Sequence, residues 1–140
     1  MTAVTVWKEL VDTILVGEHR GTAGAVCGYD GGVWGMSDSF HITQDEAVAA
    51  RRAVGRAFRD FEDAQKIAFT VSGVEFHTVS FDSYAMELRA KCKKYVCGVT
   101  VKVMSRAIVI GYYDAPITAD ENVIAVRRLA RYLLDLHVCE

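Results

Sequence analysis

Apolar positions recur at helical spacing near both ends of the chain and in one central stretch, and in short strand-like runs between. In residues 4–16, Trp7, Leu10, Val11, Ile14 and Leu15 fall at i, i+3, i+4, i+7 and i+8, which predicts a helix stopped by Gly17. Two short apolar runs flank Tyr29-Asp30-Gly31-Gly32 and predict a β-hairpin with Trp34 on its second strand, since Asp and Gly tolerate the positive φ of a tight turn. Thr43 is the expected cap of a helix opened by Asp45 and Glu46, with Val48, Val54 and Phe58 inward and Arg51, Arg52 and Arg56 in solvent. From residue 66 to 112 the runs are rich in Val, Ile, Phe and Tyr and predict four or five strands with tight links. Thr118 and Glu121 then have capping-box spacing, opening a last helix with Val126, Leu129, Leu133 and Leu136 on one side.

The predicted order is helix, hairpin, helix, several strands, helix. Strands joined by short links must run antiparallel, because a parallel crossover needs a dozen or more residues. The fold class is therefore α/β in the broad sense (α+β), one domain over residues 1–140, with helices covering an antiparallel sheet. At 140 residues and 51% hydrophobic content the chain can bury a full core, which excludes a disordered polypeptide. With 16 basic against 18 acidic residues it lacks the basic footprint of a nucleic-acid-binding domain. No apolar stretch approaches the roughly 18–20 residues of a membrane helix, and the first is broken by Lys8, Glu9 and Asp12. The expectation is a cytosolic protein whose cysteines, Cys27, Cys92, Cys97 and Cys139, are thiols.

Candidate chemistry is sparse. His19, His41, His77 and His137 are scattered, and Cys92 and Cys97 have no second Cys or His pair at zinc spacing. There is no nucleophile elbow, phosphate loop or metalloprotease helix, so neither an enzyme nor a cofactor is expected. Two surfaces remain. Trp7, Trp34 and Tyr132 are either core aromatics or the lining of a groove for a polyproline II segment, which loses little entropy on docking. Arg89, Lys91 and Lys93 alternate along one strand, and Arg127, Arg128 and Arg131 cluster on the last helix. They form either a solvated face or a patch for an acidic protein or anionic lipid.

Several motifs in order carry a family resemblance. VWKELVD, AVCGYDGGVWGMS, YAMELRAKC and the ungapped GYYDAPITADENVIAVRRLARYL together resemble the profilins, mixing animal-type and plant-type features over almost the whole chain. The resemblance implies a sheet with the terminal helices on one face and shorter helices on the other. It implies a monomer that binds globular actin, promotes exchange of actin's nucleotide and delivers monomers to filament ends in the cytoplasm and cytoskeleton. It also implies binding of proline-rich proteins such as formins, and of phosphoinositide headgroups. The open alternative is a protein-binding scaffold of similar plan without actin binding.

Residue by residue, the resemblance assigns Trp7, Leu10, Trp34 and Tyr132 to the polyproline groove, and Arg89, Lys91, Val123, Arg127 and Arg128 to the actin face. Two positions depart from the family pattern. Leu10 stands where a Tyr is usual, which removes one aromatic plate and one hydroxyl. Glu75 stands where many members have Lys, a charge reversal expected to alter on-rate and salt dependence.

Overall fold

The computed structural model describes residues 3–17, 23–93 and 96–136. His19, His137 and Cys139 lie outside them.

Seven strands form one antiparallel sheet in the order β2-β1-β7-β6-β5-β4-β3. They are β1 (Ala23–Gly28), β2 (Val33–Met36), β3 (Phe69–Val71), β4 (Val74–Asp82), β5 (Glu87–Lys91), β6 (Cys97–Val103) and β7 (Ala107–Asp114). The β1–β2 hairpin turns where Asp30 and the glycines stand, with Gly31 at φ 93°. Alternation along β7 shows how the sheet divides two cores. Ala107 and Val109 join an apolar cluster with Val11, Leu15, Val126, Leu129 and Leu133, and Ile108 and Ile110 face the opposite cluster.

The first face carries the chain's terminal elements. Helix α1 (Ala3–Leu10) passes into a π-helical segment, Val11–Val16, which ends at Gly17 in an extended conformation. The spacing predicted one α-helix here; the wider π turn still buries Val11 and Leu15 completely. Helix α4 (Ala119–Asp135) is capped by Thr118 and Glu121 in a reciprocal capping box, as expected. The floor beneath both elements is a pair of glycines. Gly24 and Gly111 are direct partners on β1 and β7. A Cβ on Gly24 would stand 2.6 Å from Leu15 of the π segment, and one on Gly111 would stand 2.6 Å from Val126 and 3.0 Å from Asn122 of α4. The absent side chains let both terminal elements lie close on the sheet.

Helices α2 (Gln44–Arg59) and α3 (Phe61–Gln65) cover the other face. Thr43 and Glu46 form the second capping box. The buried stripe of α2 is Ala47, Ala50, Ala53, Val54 and Ala57: Val54 is inward as expected, and Val48 is only half-buried. Phe58, one position past that stripe, is 60% exposed, and Arg51 lies 4.5 Å above the Tyr29 ring instead of standing free in solvent. Leu136 likewise caps the end of α4 and is exposed rather than inward. No described helix is long and apolar enough to cross a membrane.

Gly111→Ala is expected to destabilise the protein by about 1–3 kcal/mol, because the added methyl must displace α4 from the sheet. Urea unfolding followed by circular dichroism measures this, and an unchanged midpoint would mean that α4 is not seated on Gly111.

Candidate functional site

The aromatic surface forms where α1 crosses β2. A Cβ at Gly35 would lie 2.7 Å from the backbone of Trp7 and Lys8, so only glycine lets the helix come this close to the strand. That contact brings the Trp7 and Trp34 rings together, with centroids 5.0 Å apart and planes tilted by 39°. Lys8 ion-pairs with Asp12 of the π segment at 2.6 Å and with Asp38, just past β2, at 3.2 Å, and these carboxylates raise its pKa. Trp34 lines a groove of about 490 Å³ together with Lys8, Met36, Asp38 and His41. Of these, only Trp34 was expected from the sequence. Groove residues contributed by a loop and by alternate strand positions carry no periodic signal of their own.

Leu10 packs half-buried against the apolar cluster beside Trp7 and Trp34. Tyr132 is 41% exposed and lines a second hollow, of about 290 Å³, with Thr13, Ile14, Gly17 and Arg128. The structure thus brings the two tryptophans together and sets Tyr132 against the π segment, in a hollow that contains neither of them.

The basic surface lies on the far side of α4. Glu87, Arg89 and Lys91 share one side of β5 because side chains alternate along a strand, and Leu88 and Ala90 enter the opposite core. Lys93 lies beyond the end of β5, outside the expected alternation. Arg89 Nη1 pairs with Asp120 Oδ1 at 3.0 Å, tying β5 to the start of α4. Arg127 donates to Glu87 through Nε at 2.9 Å and Nη2 at 2.8 Å. Glu87 is only 4% exposed, and Lys102 Nζ stands 3.6 Å from Oε2, the oxygen that also accepts from Arg127 Nε. The Glu87 carboxylate holds the Arg127 pKa above its usual value. Much of Arg127's charge is therefore committed inside the protein.

Two residues assigned to this face sit elsewhere. Val123 is 2% exposed and belongs to the core, because its position on α4 points to the sheet; the neighbouring Ile124 is 42% exposed. Arg128, about 100° round the helix from Arg127, lines the Tyr132 hollow. Lys91 is exposed at the end of β5, as expected, across from His77 of β4. His77 Nε2 stands 3.3 Å from Glu75 Oε1, so the acidic departure at 75 lies two residues along β4 from the position opposite Lys91.

Among the described residues no group of His, Cys, Asp and Glu could hold a metal ion. What the fold presents is an apolar groove and a charged face divided by α4, the outline of a small protein that binds other molecules on its surface. The profilin family model matches residues 5–138, and the chain belongs to the profilin family. Profilin-1 of Entamoeba histolytica is 32% identical over 130 residues, which are 92% of this chain and 96% of that one. Profilin II of Acanthamoeba castellanii superimposes with a TM-score of 0.77 at 29% identity, covering 94% of this chain and 98% of its own. Two more distant solved structures share the fold. LokiProfilin2, in a complex with rabbit actin, has a TM-score of 0.70 at 13% identity and covers 97% and 99% of the two chains. Mouse profilin IIa, in complex with a double repeat from the FH1 domain of mDia1, has 0.72 at 20%, covering 94% and 98%.

Proposed function

We propose that this chain binds actin monomers through the β5–α4 face and proline-rich segments through the Trp7–Trp34 groove, and so regulates actin polymerisation in the cytoplasm. The observation that carries the reading is the tilted tryptophan pair formed where α1 crosses β2, with Trp34 of that pair lining an open groove. Two flat, half-buried rings present apolar plates to a preformed polyproline II helix, and the adjoining Lys8, Asp38 and His41 supply polar partners for its carbonyls and flanking residues. Two neighbours of the fold support the pairing of ligand classes, one seen with rabbit actin and the other with an FH1 double repeat.

On the actin side, Arg89 and Lys91 offer positive charge, Arg127 stands beside them held to Glu87, and the exposed Ile124 offers apolar area. The chain needs no catalytic side chain for this role. A ligand that prefers an actin conformation with an open nucleotide cleft speeds nucleotide exchange through that preference alone. A groove on another part of the surface lets one molecule hold a monomer and a formin-type segment together, raising the local monomer concentration by tethering. The same basic residues offer a site for phosphoinositide headgroups.

Arg89→Glu is expected to weaken actin binding on the order of tenfold at low salt, with the gap narrowing as salt rises. The check is a titration of labelled actin monomer; an unchanged affinity would place actin elsewhere on the surface. At the groove, Trp7→Ala is expected to abolish the fluorescence response to a polyproline peptide while circular dichroism stays native. Leu10→Tyr is expected to tighten peptide binding by about 3- to 10-fold, since it restores a ring and a hydroxyl. No gain from Leu10→Tyr would show that the leucine is not what limits the groove.

A further inference from the structure

Three thiols are described, and none of them is in a disulfide. Their surroundings differ sharply. Cys27 is fully buried on β1, and burial pushes its pKa up to about 12, so it stays protonated and shielded. Cys92 and Cys97 instead stand at the end of the β5–β6 pair. The ladder runs Arg89↔Thr100, Ala90↔Val99 and Lys91↔Gly98, and its next step sets Cys92 opposite Cys97. The Cys92 N–H donates to the Cys97 carbonyl at 3.3 Å, which confirms that register.

Residues directly opposed on antiparallel strands have Cα atoms about 4.5–5.5 Å apart, inside the roughly 4.4–6.8 Å range of disulfides. Both side chains point to the same core: Cys97 is buried in it and Cys92 packs against it, half-buried. The two thiols are also in hydrogen-bonding contact with each other. We propose that Cys92 and Cys97 are a peroxide-sensitive dithiol, which closes to an intramolecular disulfide across the end of the β5–β6 pair.

Cys92 is the attacking group. It is the more exposed of the two, half-buried where Cys97 is buried, and so the one a peroxide reaches first. Burial raises the pKa of Cys97, with the Tyr112 hydroxyl opposing the rise, so Cys97 is the resolving thiol. The Cys92 thiolate attacks one oxygen of hydrogen peroxide and becomes a sulfenic acid, and the displaced hydroxide takes up a proton to leave as water. Cys97 sulfur then attacks Cys92 sulfur, the S–S bond forms, and the hydroxyl of the sulfenic acid leaves with the Cys97 proton as a second water. Two thiols are oxidised by two electrons and one peroxide is reduced to two waters.

The disulfide draws the Cβ atoms to about 3.8 Å, closer than the roughly 4.5–5.5 Å of an ordinary opposed pair. That shift falls on the residue adjoining Lys91, three positions along the chain from Arg89. The consequence, which rests on the proposed actin face, is weaker actin binding by the oxidised form.

The test uses the full chain with Cys139→Ser, reduced and then exposed to hydrogen peroxide. Alkylation, digestion and mass spectrometry are expected to show a peptide pair linked through Cys92 and Cys97, about 2 Da lighter than the reduced pair and restored by dithiothreitol. Cys92→Ser is expected to leave Cys97 alkylatable after the same exposure. A Cys92 sulfinic acid beside an intact Cys97 thiol, or Cys97 oxidised equally fast in Cys92→Ser, would overturn the assignment. Actin affinity is then compared between the two forms and is expected to fall about threefold or more on oxidation. Equal affinities would overturn the link to the basic face, whereas a reduced protein that does not bind actin would defeat the proposed function and leave the dithiol standing.

Discussion

The terminal elements of this protein rest on two opposed glycines in the middle of its sheet. Gly24 and Gly111 face one another on β1 and β7, and the space their side chains would fill is taken by Leu15 from one side and by Val126 and Asn122 from the other. Interiors are close-packed, so a helix can approach a strand this nearly only where the strand has no Cβ beneath it. Everything on that face follows from the seating: the buried cluster of Val11, Leu15, Leu129 and Leu133, and the direction in which each flank of α4 looks.

Because α4 lies over β6 and β7, it separates two surfaces. Tyr132 and Arg128 look toward the π segment, and Arg127 and Asp120 look toward β5. Trp34 stands on β2 and Arg89 on β5, four places apart in the sheet, about 19 Å at ordinary strand spacing. That separation leaves room for an extended peptide on one side of α4 and a folded partner on the other. The charged side is held in place rather than loose. Arg89 is braced by Asp120, and Arg127 by a carboxylate buried between it and Lys102, so the basic groups are positioned before any partner arrives.

The fold was legible wherever periodicity met an explicit stop or start. The Thr118–Glu121 capping box, the Thr43 cap, the Gly/Asp hairpin turn and the antiparallel strand run read directly from residue type and spacing. Helix facing was harder to read. Phe58 is expected inward with Val48 and Val54, yet α2 lies so near the sheet that its inward stripe is almost all alanine and Phe58 is left outside. The same difficulty affected the charged face. Val123 and Arg128 belong to α4 as the motif match implied, but which flank each occupies is fixed by where the helix sits on Gly111, a contact between residues far apart in the chain. Glu87 gave no signal at all. A lone acidic residue in a strand looks like solvent-facing decoration until Arg127, forty positions later, folds over it.

The central claim is that two separate ligand surfaces operate at once on one small domain. Fluorescence anisotropy of a dye-labelled proline-rich peptide tests it most directly, titrated first with this protein and then, at saturation, with actin monomer. The account predicts a rise on adding the protein and a second rise on adding actin, as the peptide enters a larger complex. A fall toward the value of the free peptide on adding actin would mean that the two ligands share one surface, and would contradict the division made by α4.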